Sequence, residues 1–414
     1  MGLPAPQPVH ARNRDVAGGR HDRGDAAPLH CRPPRRPGGR AGRIALAALV
    51  WLVAQAAAAT ELRLATWHVE LSRDGPGLLL QDIAAGDDPQ VAAVLAVLEE
   101  TRPDILLLTG IDVDPGGATL SALQDALEAA GTPFPHAFAP ASNAGLPSGA
   151  DLDGDGRTGE ARDAQGYGRF RGDGAMALLS RYPVDAGGVR DFTALRWRDL
   201  PGATLPVTPE GDPFPSAAAQ AVQRLSSAGH WAVPVLLPGG RRLTILAFAA
   251  TPPVFDGPED RNGLRAADET RLWLRMLDGA VGPPPEPPFA VLGRANVDPV
   301  DGEGVHAAVR ALLADPRLQD PAPRSAGGAA AADRAHRGDP ALDTAEYDGP
   351  GNLRVDYVLP SADLRVTGAG VHWPEGTAET VRAASRGRIV WVDVALPPPQ
   401  PPDGAQLDPA GGPR

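Results

Sequence analysis

Between Glu61 and Gly131 the sequence passes through strand, helix, buried strand and helix, and that order restricts the chain to an α/β fold. Glu61-Leu-Arg-Leu-Ala-Thr-Trp-His-Val-Glu70 alternates: Leu62, Leu64, Thr66 and His68 share one face, Arg63, Ala65, Trp67 and Val69 the other. Asp88 is a candidate N-cap ahead of Pro89. Val91, Val94, Leu95 and Leu98 then recur at helical spacing until Arg102-Pro103 ends the run. Asp104-Ile-Leu-Leu-Leu-Thr109 reads as a buried strand. Leu120, Leu123 and Leu127 form the stripe of a second helix over residues 119–131.

The pattern continues. Residues 141–175 are Gly/Asp-rich and read as loop, followed by a strand at 174–183. Strands at 231–237 and 243–251 flank Pro238-Gly-Gly-Arg, a hairpin turn. A helix at 264–277, a strand from Phe289, a helix at 304–313 and strands at 353–359, 364–372 and 388–396 complete the series. No repeat or linker interrupts residues 60–396, so a single domain of two packed sheets with outer helices is expected there.

The flanks differ from this body. Residues 1–43 are rich in Arg, Gly and Pro. Ile44-Ala-Leu-Ala-Ala-Leu-Val-Trp-Leu-Val-Ala-Gln-Ala-Ala-Ala-Ala59 then supplies a short apolar run and small residues, the pattern of a secretory signal peptide covering 1–59. The run is short for a membrane span, so an exported chain, periplasmic or extracellular, with no stable membrane span after cleavage is expected. Residues 397–414 are Pro-rich, patternless and expected to be a disordered tail. The only cysteine, Cys31, lies in the leader, so the exported part has no disulfide. There is no lysine, and all 39 basic residues are arginine. The whole chain carries −12. Residues 1–59 hold nine Arg and three Asp, which leaves −18 beyond them. Such acidity does not favour nucleic acid as a partner, although metal ions could still carry a phosphate contact.

Candidate chemistry collects at two places. The strand Phe289-Ala-Val-Leu292 ends at Gly293, and polar side chains follow: Arg294, Asn296 and Asp298. Polar residues at the end of a buried strand usually line a site. The second place is Asp151-Leu-Asp-Gly-Asp-Gly-Arg-Thr-Gly159. Asp151, Asp153 and Asp155 alternate as in the first half of a calcium loop, with Gly156 at the sharp turn. The closing twelfth position is Arg162, so Glu160 or Asp163 would have to serve. A calcium ion here would be structural; a flexible acidic loop is the alternative.

Seven segments in order resemble the endonuclease/exonuclease/phosphatase superfamily: Leu64-Ala-Thr-Trp-His-Val-Glu70, Asp104-Ile-Leu-Leu-Leu-Thr-Gly-Ile-Asp112, Met176-Ala-Leu-Leu-Ser-Arg-Tyr-Pro-Val184, Leu246-Ala-Phe-Ala-Ala-Thr251, Val291-Leu-Gly-Arg-Ala-Asn296, Leu353-Arg-Val-Asp-Tyr-Val-Leu359 and Ser385-Arg-Gly-Arg388. Pro252-Pro-Val-Phe-Asp-Gly-Pro-Glu-Asp-Arg-Asn262 resembles an exported bacterial branch. The resemblance implies a four-layer α-β-β-α sandwich and phosphoester hydrolysis with a divalent metal, usually magnesium.

The resemblance also implies site positions, and most are substituted. The first-strand Asn is His68, the metal Glu is Gly110, and the middle-strand His is Ala249. The Asp of Gly-Asp-x-Asn is Arg294, while Asn296 remains. The terminal Asp-His is Arg386-Gly387, and Asp356 stands without its partner. Glu70 occupies a place where some members have an acid. Asp112 and Asp114 are candidate replacement metal ligands, and Tyr167 and Arg169 candidate phosphate contacts.

Three readings follow. The first is an exported pseudoenzyme whose Arg294 and Arg386 hold a phosphate-containing ligand without hydrolysing it. The second is an active, magnesium-using phosphodiesterase or nuclease rebuilt from Asp112, Asp114, Glu70, Asn296 and Asp356. The third is a non-catalytic cell-surface interaction module. For the single residues there are plainer roles. Arg294 and Arg386 could pair with Asp298, Asp301, Asp356 or Asp393; Asp356 could pair with Arg354 or Arg386; and His68 could be a structural hydrogen-bonding residue.

Overall fold

The computed structural model describes residues 61–376 and 378–396. The proposed leader and tail lie outside the described residues.

The strands form two mixed sheets. The first is built from β1 (Glu61–Leu71), β2 (Ile105–Ile111), β3 (His136–Phe138), β4 (Ala175–Ser180), β12 (Arg365–Val371) and β13 (Val390–Ala395), in the order β12-β13-β1-β2-β4-β3. The second is built from β5 (Arg190–Asp191), β6 (His230–Leu237), β7 (Arg241–Ala249), β8 (Phe289–Arg294) and β11 (Asp356–Pro360), in the order β11-β8-β7-β6-β5. A separate ribbon pairs β9 (Ala345–Tyr347) with β10 (Gly351–Leu353).

Alternation along the strands sorts the apolar residues into three cores. Leu62, Leu64, Ile105, Leu107 and Leu178 of the first sheet meet Trp231, Val233, Ile245 and Leu292 of the second. On the outer face of the first sheet, Ala65, Trp67, Leu106 and Leu108 pack with Leu79, Val94, Leu98 and Leu123 from the helices Leu78–Ala85, Pro89–Thr101 and Ala118–Ala129. Phe248, Val291 and Tyr357 meet Leu272, Trp273, Val309 and Leu312 from the helices Arg261–Leu277 and His306–Leu313. Three apolar layers between four sets of elements make the α-β-β-α sandwich, because each sheet must cover both faces.

Two local features differ from the expectation. The strand expected at 353–359 is broken, since β10 ends at Leu353 and β11 begins at Asp356. The Arg354 amide leaves the ladder and donates to Asp298 Oδ2 at 2.7 Å, and the Val355 amide donates to Thr344 Oγ1 at 3.0 Å. The helix Leu78–Ala85 was not expected. Its run Leu78-Leu-Leu lacks helical spacing, and it lies between Gly77 and Gly86 with no side-chain cap.

Candidate functional site

The site lies where the ends of β1, β2, β8 and β11 meet the segment 385–388. Each position has a backbone cause. β8 runs between β7 and β11, and the register sets Arg294 beside Ala249 on one side and Asp356 on the other. Directly opposed residues on neighbouring strands have their side chains within reach of each other. Gly293 allows this approach, because a Cβ there would lie 2.1 Å from the Phe248 carbonyl oxygen. On the first sheet, the pairing of β1 with β2 shifts between His68 and Leu71. Glu70 sits in that irregularity with φ 53°, which turns its side chain out of the alternation.

Arg294 is buried and fully engaged. Its Nη1 donates to Asp356 Oδ1 at 3.1 Å and Oδ2 at 2.9 Å, its Nε donates to Asn296 Oδ1 at 2.6 Å, and its Nη2 donates to the Tyr347 hydroxyl. Asp356 also accepts from Thr344 Oγ1 at 3.1 Å. Asn296 Nδ2 donates to the Ala250 carbonyl at 2.6 Å, so both ends of this amide are used. Burial is the largest influence and works to lower the Arg294 pKa, but the Asp356 charge and hydrogen bond, with Tyr347 and Glu70, together outweigh it and hold the guanidinium above its ordinary value.

Arg386 is more exposed and closes on Glu70. Its Nε and Nη2 donate to Glu70 Oε1 at 2.9 and 2.5 Å, and its amide donates to Oε2 at 2.8 Å. Ser385 Oγ donates to the same Oε2 at 3.1 Å. Burial would raise the Glu70 carboxyl, but these bonds from Arg386 bring it down to about 2. Arg386 therefore pairs with Glu70 rather than with Asp298, Asp301, Asp356 or Asp393. Those acids are held elsewhere: Asp298 and Asp301 by backbone amides, Asp393 by Arg63. Arg354 pairs with Asp320, which leaves Asp356 to Arg294.

His68 fills the remaining space. Its Nδ1 lies 3.1 Å from Thr109 Oγ1. Burial first, and the Arg294 guanidinium second, lower its imidazole to about 3, so it is neutral at pH 7. The ring covers Gly110: a Cβ at Gly110 would lie 2.5 Å from His68 Cε1. Gly387 is also confined, with the His68 carbonyl oxygen 2.5 Å from where its Cβ would be.

The other candidates lie away from this network. Asp112 is buried and accepts from Ser72 Oγ at 2.8 Å and from the amides of Arg73 and Gly174 at 2.8 and 3.0 Å. Asp114 accepts from the amides of Gly116, Ala118 and Thr119, and so caps the helix Ala118–Ala129. Tyr167 is 65% exposed. Arg169 is held by Asp173 and Asp74. Sequence reasoning missed Thr344 and Tyr347, which lie in no quoted segment and reach the site only through the fold, and gave no role to Ser385, which opens the quoted segment 385–388.

A divalent cation needs several carboxylate oxygens free to face it. Glu70 and Asp356 carry guanidinium donors, Asp112 and Asp114 already accept from amides, Asp112 also from a hydroxyl, and two guanidinium charges stand among the candidate ligands. The residues present do not fit a divalent cation.

A model of the endonuclease/exonuclease/phosphatase family matches residues 77–386. The chain belongs to the endonuclease/exonuclease/phosphatase family. Members of this family typically depend on a divalent metal. No curated protein sequence matches the chain. Solved structures with a similar course include an endonuclease/exonuclease/phosphatase from Beutenbergia cavernae DSM 12333 (18% identity, 81% of this chain and 72% of that one, TM-score 0.46). Sphingomyelinase C from Streptomyces griseocarneus is 17% identical over 81% of this chain and 100% of that one, with TM-score 0.44. An endonuclease/exonuclease/phosphatase family protein from Leptotrichia buccalis C-1013-b is 12% identical over 81% and 100%, with TM-score 0.46. No helix among the described residues is long and apolar enough to cross a membrane.

The loop of Asp151, Asp153 and Asp155 brings one carboxylate oxygen of each within 4.8 Å of the others. Glu160 and Asp163 do not join this group. Asp163 Oδ1 and Oδ2 accept from the amides of Leu152 and Glu160 at 2.9 and 3.1 Å, and Glu160 faces Arg157. Arg162, at the closing position, lies 4.0 Å from Asp153.

Proposed function

We propose that this chain is an exported, non-hydrolysing member of its family, in which internal ion pairs replace the metal and the phosphate contacts. The double pairing of Arg294 with Asp356 and of Arg386 with Glu70 carries this reading. Hydrolysis by this fold needs a metal carboxylate and an activated water. Gly110 and Arg294 occupy those positions by resemblance, and loss of one such group commonly costs orders of magnitude in rate. A rebuilt metal site would draw on Asp112, Asp114, Glu70, Asn296 and Asp356, whose oxygens already accept from amides, hydroxyls or guanidinium groups. A phosphate held by Arg386 would first have to displace Glu70. The remaining role is contact with a partner outside the cell.

The purified chain should show no chelator-sensitive turnover of a generic phosphodiester or of plasmid DNA with magnesium, manganese or calcium. Turnover that EDTA abolishes would overturn the proposal and direct the search for ligands to Asp112 and Asp114.

Calcium at Asp151, Asp153 and Asp155 forms a separate part of the proposal, supported by their converging oxygens. With no bidentate closing acid, affinity should fall near the weak, extracellular end, on the order of 10⁻³ M. Millimolar calcium should slow proteolysis within residues 149–163, and Asp153→Asn should remove the protection. Equal cleavage in calcium and in chelator would take calcium out of this reading.

A further inference from the structure

Arg294 and Arg386 are both neutralised by carboxylates, so the site itself offers no spare cation. A groove on the far side of the second sheet does. It lies between the helices Arg261–Leu277 and His306–Leu313 and has a volume of about 360 Å³. Arg271 and Arg275, one helical turn apart, form one wall with Leu274 between them, and Arg317, paired with Asp278 at the end of that helix, also lines the groove. The facing wall carries Ala308 and Ala311, whose short side chains leave the space open.

The three guanidinium groups are not equivalent. Arg317 is consumed by Asp315 at 2.6 Å and Asp278 at 2.9 Å. Arg271 spends only Nη1, on Asp268 Oδ1 at 2.7 Å and Thr204 Oγ1 at 3.5 Å, and keeps its other N–H groups. Arg275 is partly buried with its guanidinium packed against Gly202, and its side chain makes no hydrogen bond or ion pair among the described residues. A planar guanidinium fork in a concave place, beside a second fork with donors to spare, matches the oxygens of a phosphate or a similar oxyanion. The volume falls at the lower end of the range for small-molecule sites.

We propose that this groove binds a small phosphorylated molecule, with Arg275 as the principal anion contact and Arg271 as the second. Asp278 and Asp315 neutralise Arg317 and set the charge limit. The groove therefore favours one compact oxyanion over a polyanion such as nucleic acid. This site is separate from the Arg294 network, and its test does not depend on the loss of hydrolysis.

Titration of the full chain with inorganic phosphate and with glycerol phosphate, followed by calorimetry, tests the assignment, with glycerol as the uncharged control. Both anions should bind saturably with an affinity that falls as salt rises, and glycerol should not bind. Tighter binding of glycerol phosphate would assign the ligand as an ester, and tighter binding of phosphate as the free ion. Arg275→Ala should weaken binding at least tenfold. Ala311→Glu, on an exposed helix position, should do the same by placing a carboxylate in the groove. The proposal is overturned if neither anion binds saturably, or if binding survives both substitutions.

Discussion

Arg294→Ala should lower the stability of the chain by about 3–5 kcal/mol, the usual cost of removing one member of a buried ion pair. Arg294 and Asp356 are 3% and 1% exposed, and the substitution leaves the Asp356 carboxylate in the core with only Thr344 as a side-chain donor. Asp356→Ala should cost a similar amount. The double replacement Arg294→Met with Asp356→Leu should recover most of the loss, because well-packed apolar groups commonly replace a buried pair at little net cost. The two single changes should therefore be strongly non-additive in denaturant unfolding. Arg386→Ala, at the partly exposed pair, should cost no more than about 1 kcal/mol. An Arg294→Ala cost near that of Arg386→Ala would mean that Arg294 is not a structural cation, and would return it to the pool of ligand-binding candidates.

Gly110→Glu, which places a carboxylate where the resemblance puts the family's metal Glu, should destabilise the chain instead of restoring a site. Gly110 has φ 69°, and an L-residue in that region costs about 1–2 kcal/mol. The added Cβ also meets the His68 ring at 2.5 Å, and overpacking of this kind costs about 1–3 kcal/mol. His68→Asn should relieve the second part and leave the first. Unfolding midpoints of the two single variants and the double variant measure this directly. If Gly110→Glu is tolerated without His68→Asn, the ring is free to leave its place and the site is less closed than described. Gly387→His is a harder change, because the obstacle is the His68 backbone oxygen, which no side-chain substitution removes. Restoring the family's residues one by one is therefore expected to fail for steric reasons before chemistry is reached.

The reason the sandwich was legible and the site was not lies in the range of the interactions. Alternation in β1 reports local geometry, since successive side chains point to opposite faces. That rule put Leu64 and Trp67 on opposite faces, and the packing of the sheets then put Leu64 in the central core and Trp67 in the outer one. The helix Pro89–Thr101 announced itself through Asp88, whose side chain accepts from the Val91 amide at 2.8 Å. The short ribbon of β9 and β10 gave no such signal, because three-residue strands hold too few positions for a period to show.

The partners of Arg294 and Arg386 had no local signal. Asp356 was one of several acids available to Arg294, and the antiparallel register of β8 and β11 selected it. Glu70 was not foreseen for Arg386, 316 residues away in sequence, and it reaches Arg386 because the irregularity after His68 turns its side chain out of the alternation of β1. The sequence by itself determined the α/β class and the order of the principal strands. These are properties of residue type and of spacing within one element. Only the tertiary structure decided that Arg294 and Arg386 are paired and that His68 fills the room above Gly110. It also showed that a guanidinium with no hydrogen-bond or ion-pair partner among the described residues stands elsewhere, at Arg275. Charge pairing and steric exclusion depend on which distant segments meet, and the packing of the two sheets determines that.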